Sequence, residues 1–209
     1  MNQKRFAYLL VFIGAAMAIA AVILWVRQPK APAPQSPSDS RSQPTAKKPS
    51  KNDIDSYTVA PDLPRYIAIP AINVSKTRVL TLGLAKNNQI AVPDNIYDTG
   101  WYDGSAKPGQ AGAMFIYGHV SSWQANGIFY NLRELKAGDA VNITRGDGKK
   151  FSYRVVSTRI YPYNHVDMHT VLAPVDPGTP GLNLMTCTGK VIKGTSEFNE
   201  RLVVFTKQI

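Results

Sequence analysis

Cysteine is almost missing from this chain: 209 residues contain one, Cys187. A single cysteine has no second cysteine in the chain to bridge to, so a disulfide framework is excluded. Charged residues are also few, at 18% against 44% hydrophobic, which excludes a chain disordered throughout. The 24 Lys/Arg outnumber the 14 Asp/Glu, for a formal net charge of +10. That excess is spread out. Residues 1–56 carry 8 basic and 3 acidic side chains and residues 57–209 carry 16 and 11, which is +5 in each part. With no basic stripe, the chain does not read as a nucleic-acid binder. No acidic cluster marks a calcium site, since Asp62, Asp94, Asp98 and Asp103 are scattered. There is no internal repeat. A mildly basic domain suits an anionic neighbour such as lipid headgroups or cell-wall polymer.

One long hydrophobic run is present. Phe6 to Val26 holds 21 residues without a charge, enough at about 1.5 Å per residue to cross a hydrocarbon core of about 30 Å. Lys4 and Arg5 precede it and Trp25 sits at its far edge. A cleaved signal peptide is the competing reading, but its apolar core is shorter. The small-x-small site just after the run, Ala31-Pro32-Ala33, is followed by Pro34. Residues 1–27 are therefore expected to form a transmembrane anchor. Residues 28–56 hold six prolines among Ser, Gln, Lys and Ala and read as a semi-extended linker. Residues 57–209 remain as the globular domain.

In that domain, short β-branched runs alternate with Gly and Pro turns. Strand-length segments are Tyr66–Pro70, Ala71–Val74, Val79–Leu82, Gln89–Pro93, Gly112–Gly118, Ala140–Thr144, Phe151–Val156, Leu182–Thr186 and Leu202–Phe205. Asp147-Gly148 is a hairpin signal. Only Gly127–Leu135 reads as a short helical turn. The class is mainly β, a closed barrel or a sandwich.

Cys187 follows the run Leu182–Thr186 and is expected at a strand end beside a loop. In an exported protein such a thiol is an intermolecular bridge, an inert buried side chain or a nucleophile. His119 lies at the end of the run Gly112–Gly118, so the two can meet on one rim as a thiol with an imidazole acid/base. A lone histidine is otherwise a satisfied polar residue. His165 and His169 are four apart, but the stretch between Pro162 and Pro174 is not expected to be helical, and Asp167 alone would complete a metal set. Arg201 opens the last run. It is either a solvated strand-start arginine or a donor toward an oxyanion. Lys190 and Lys193 are rival cations in a loop.

These residues also carry a family resemblance. Asn183-Leu184-Met185-Thr186-Cys187 resembles the sortase signature Thr-Leu-x-Thr-Cys, with Asn at the first position. Arg201-Leu202-Val203-Val204 resembles the Arg-[Leu/Ile]-Val-Val strand of that family, and Gly118-His119 its Gly-His. The order His, Cys, Arg agrees. Ile69-Pro70, Val92-Pro93, Gly100-Trp101-Tyr102, Pro108–Gly112 and Leu135–Asp139 look like further landmarks, most similar to class F or class E sortases.

The resemblance covers about residues 65–209 and implies a closed β-barrel of about eight strands with one or two short helices. It implies a transpeptidase with Cys187 as nucleophile, His119 as general acid/base and Arg201 as oxyanion donor. Thr186 and Met185 would line the substrate groove, and Ile160–Pro174 would be the recognition loop. Implied partners are surface-protein or pilin precursors with a Leu-Pro-x-Thr-Gly-like motif, and a peptidoglycan-precursor or lysine amine as acceptor. No cofactor and no metal are implied. With the anchor, the expected location is a bacterial plasma membrane, spanned once, with the catalytic domain outside.

Two other readings compete. Another cell-wall cysteine peptidase is one, though the Ser-x-Gly-Cys of L,D-transpeptidases is absent, since Cys187 follows Met185-Thr186. A non-catalytic, membrane-tethered β-barrel binding module with an inert Cys187 is the other.

Overall fold

A computed structural model describes residues 44–85 and 89–209. Helix α1 (Lys51–Asp55) comes first, followed by β1 (Pro64–Ile69), β2 (Val74–Leu82), β3 (Thr99–Tyr102), β4 (Ala113–Gly118), β5 (Ala140–Arg145) and β6 (Lys150–Pro162). Helix α2 (Met168–Leu172), β7 (Gly181–Val191) and β8 (Phe198–Gln208) complete the chain. The eight strands close a barrel in the order β1-β2-β3-β4-β7-β8-β6-β5. The β2/β3 and β4/β7 pairs are parallel and the other neighbours antiparallel. Closure leaves no free sheet edge.

Side-chain parity divides the core in two. Met114 and Ile116 on β4, Leu182 and Leu184 on β7, and Leu202 and Val204 on β8 fill the barrel with Trp101, Phe129 and Tyr153. Their neighbours Phe115, Tyr117, Met185, Val203 and Phe205 project from the outer face into a second cluster. Val166, Met168, Val171 and Leu172, from the connection between β6 and β7, cover that face. Strands β4 and β7 are apolar on both faces because both faces are covered.

Parallel β2 and β3 require a crossover, which runs from Gly83 to Asp98. Its end is fixed by a buried ion pair. Arg78 donates to Asp98 from Nε at 2.8 Å and from Nη2 at 2.6 Å, and Asp98 is 2% exposed.

Several expectations change. Gln89–Pro93 is not a strand; only Ile90 forms a single bridge, to Leu84. Thr99–Tyr102 is one, hidden in the sequence because Gly100 interrupts the β-branched pattern. Within Gly127–Leu135, a 3-10 turn covers Leu132–Glu134.

The stretch before Pro174 is helical after all. The Asp167 carboxylate caps α2 by accepting from the N–H groups of His169 (3.1 Å) and Thr170 (3.3 Å), and five residues fit before Ala173 turns extended ahead of Pro174. Residues 44–56, expected to be linker, carry α1 and a bridge at Thr45. Ser50 and Asp53 form a capping box, and Tyr66 Oη donates to the Ile54 carbonyl at 2.5 Å.

The run Phe6–Val26 lies outside the described residues. Among the described residues, no helix is long and apolar enough to cross a membrane.

Candidate active site

Strand β7 does not stop at Cys187. It continues to Val191, because β8 pairs with it past the barrel rim through Val191↔Phe198. Cys187 therefore sits within a strand, partly exposed, directly opposite Arg201. Such opposed residues project from the same face with Cβ atoms about 5 Å apart. On the other side of β7, the parallel register pairs Tyr117 with Met185. Continued by two residues, it brings His119 abreast of Cys187. The predicted trio therefore converges from adjacent strands β7 and β8 and from the residue that follows β4.

The Arg201 side chain is largely buried and held by its own hairpin. Nη1 donates to the carbonyls of Phe198 (2.9 Å) and Glu200 (3.0 Å), and Nη2 to Glu197 Oε2 (3.0 Å). The Tyr163 ring, from the β6–β7 connection, lies 5.8 Å from the guanidinium carbon. This fixes a permanent cation next to the thiol.

His119 is oriented by Pro93. Its Nε2 lies 2.7 Å from the Pro93 carbonyl, which can only accept, so Nε2 carries the proton. In the neutral ring Nδ1 is then the basic nitrogen.

Two glycines permit this geometry. A Cβ on Gly118 would come within 2.6 Å of the Phe129 ring, and one on Gly127 would strike the His119 carbonyl oxygen. Thr186 faces inward, and its hydroxyl donates to the Gly118 carbonyl at 2.8 Å, pinning β7 to the end of β4 beside His119. Met185 is packed in the outer cluster. His165 bonds Asn164, and His169 lies on α2.

Two residues escaped the sequence reading. Tyr117 places its hydroxyl 2.9 Å from Cys187 Sγ. Burial is the main cause that raises its pKa well above 10, so the phenol stays neutral and able to donate. Its signal was spacing: Tyr117 precedes His119 by two residues at the end of β4. Asn183, the departure from the usual motif, is fully buried. Its amide donates to the carbonyls of Val171 (2.8 Å) and Ala173 (2.9 Å), tying the end of α2 to β7. A cleft of about 170 Å³ reaches Cys187, bordered by Ser121, Tyr130, Arg133, Thr186, Thr188 and Gly189.

A thiol between a held cation and an oriented imidazole on a mixed barrel is an arrangement that thiol chemistry requires. The comparisons narrow that chemistry. The sortase domain model matches residues 67–209, so the chain belongs to the sortase family, whose members are cysteine transpeptidases acting on sorting motifs. Solved structures share the fold at low identity. A lid mutant of sortase A from Corynebacterium diphtheriae is 24% identical, with 78% of this chain and 82% of that chain covered and a TM-score of 0.54. Sortase C from Streptococcus pneumoniae is 22% identical (78% and 74% covered, TM-score 0.52). The SrtA sortase from Actinomyces oris is 20% identical (73% and 83%, TM-score 0.52). No curated protein sequence matches the chain.

Proposed function

We propose that this protein is a membrane-tethered sortase that cuts a Leu-Pro-x-Thr-Gly-like motif in surface-protein or pilin precursors and joins the new carboxyl end to an amine of the cell wall or a pilin lysine. The observation that carries this reading is the pairing of Cys187 with Arg201 across β7 and β8, with His119 closing the third side.

Nδ1 of His119 takes the Cys187 thiol proton, and the Sγ thiolate attacks the threonine carbonyl carbon. The carbonyl π pair moves onto oxygen, and Arg201 beside the thiol stabilises the resulting oxyanion. The intermediate collapses, the C–N bond to glycine breaks, and protonated His119 delivers its Nδ1 proton to the leaving amine. A thioester remains on Cys187. The acceptor amine attacks it while Nδ1 takes the proton, and the thiolate leaves. The cleft beside Cys187 gives the acceptor a way in. Met185 and the Ile160–Pro174 segment flank the motif, and Thr186 supports the strand end that carries His119.

The run Phe6–Val26 anchors the enzyme in a bacterial plasma membrane with the barrel outside. Enzyme and precursor then share one surface, which raises their effective concentration. Gly100-Trp101-Tyr102 and Pro108–Gly112 favour class F or class E.

The test is turnover of a quenched Leu-Pro-x-Thr-Gly peptide with and without a primary amine. The expected result is an amine-linked product that disappears in Cys187→Ala. Turnover that survives this substitution contradicts the reading.

A further inference from the structure

The chain just ahead of α1 is bonded to the segment that holds His119. Thr45 forms a parallel bridge with Asn95. The Thr45 N–H donates to the Asp94 carbonyl at 2.7 Å, and the Thr45 carbonyl accepts from the Ile96 N–H at 3.0 Å. Asn95 Nδ2 adds a bond to the Lys47 carbonyl at 2.8 Å. Pro93, whose carbonyl orients the imidazole, immediately precedes this patch.

The patch is also bonded onward. The Ile128 N–H donates to the Ile96 carbonyl (2.8 Å), and the Phe129 N–H donates to the His119 carbonyl (3.0 Å). A ring of bonds therefore runs from the His119 side chain through residues 93–96 and 128–129 to the His119 main chain. The arm is strapped to the middle of that ring. Residues 93–96 lie in the β2–β3 crossover and belong to no barrel strand, and the Asp94 carbonyl and Ile96 N–H find main-chain partners in the arm.

We propose that the arm around Thr45 is a positioning element for His119. Its main-chain pairing fixes the Pro93 carbonyl, and that carbonyl holds the proton on Nε2 and makes Nδ1 the basic nitrogen. Thr45 acts through Pro93 and touches no reacting atom. The proposal rests on His119 as the acid/base of the reading above.

The experiment uses the full chain, ¹⁵N-labelled, in detergent micelles, with the imidazole nitrogens observed by long-range proton–nitrogen correlation. Thr45→Ala keeps both main-chain groups, whereas Thr45→Pro removes the donor to Asp94. Deletion of residues 44–48 serves if the proline variant loses its barrel amide spectrum. Wild type and Thr45→Ala are expected to show His119 as the Nε2–H tautomer alone. Thr45→Pro or the deletion is expected to show a tautomer mixture, with kcat lower by about tenfold and the peptide KM unchanged. A pure Nε2–H tautomer in the proline and deletion variants, or a mixture already in wild type, overturns the proposal. The tautomer is read without substrate. A chain inactive on every sorting peptide would overturn the transpeptidase reading and leave this result readable.

Discussion

The hydroxyl of Tyr117 meets the sulfur of Cys187 at 2.9 Å, from the strand that His119 directly follows. A buried neutral phenol is a donor, and a donor stabilises a thiolate more than a thiol. A hydrogen bond to a charged group contributes about 1.5–3 kcal/mol, and one pH unit corresponds to about 1.4 kcal/mol. Tyr117→Phe keeps the ring and loses the donor. The midpoint of Cys187 alkylation against pH is expected to rise by about one unit, measured with iodoacetamide from pH 5 to 10.

Asn183 is predicted to hold the cover over the outer face. Asn183→Ala removes two buried bonds to the end of α2 and should cost about 2 kcal/mol. The loss is expected to appear as faster amide exchange over 166–173, with a raised KM for the sorting peptide. Asn183→Thr, which restores the usual motif, reaches at most one of the two carbonyls and should fall between.

Gly118→Ala drives a methyl group into the Phe129 ring. Overpacking of this kind costs about 1–3 kcal/mol. Phe129 bonds the His119 main chain, so activity should fall further than stability alone explains. Denaturant unfolding alongside peptide turnover separates the two effects.

Alkaline stability should depend on Tyr153. Burial pushes its pKa up to about 12, above the ordinary 10. A folded-state pKa above the unfolded one means that the stabilisation is complete below pH 10 and is lost as pH rises toward 12. The loss should be on the order of 2–3 kcal/mol by pH 12. Tyr153→Phe should flatten that decline, measured by urea unfolding at pH 8, 10 and 11.5.

Much of the site was legible because its chemistry is local. Thr186-Cys187, Gly118-His119 and Arg201-Leu202 each lie on an apolar run whose alternation already marks a strand. The supports were not legible, because each is made by residues distant in sequence. Asn183 takes its role from carbonyls 10 and 12 residues earlier, and Pro93 from an imidazole 26 residues on. Thr45 lies in a proline-rich stretch whose composition predicts a linker, and its pairing is made with Asn95, 50 residues further on. Cys187 looked like a strand end because Gly189 follows it. Pairing with β8 carries the strand onward, with Gly189 at φ +84° inside it.

The most direct test of the account is the intact mass of the full chain, quenched with acid during turnover of a Leu-Pro-x-Thr-Gly peptide. The account predicts a covalent adduct equal to the peptide up to its threonine, mapped to Cys187, released by hydroxylamine and transferred to an added amine. An enzyme that turns over the peptide with no adduct on Cys187, or with an adduct elsewhere, would contradict it.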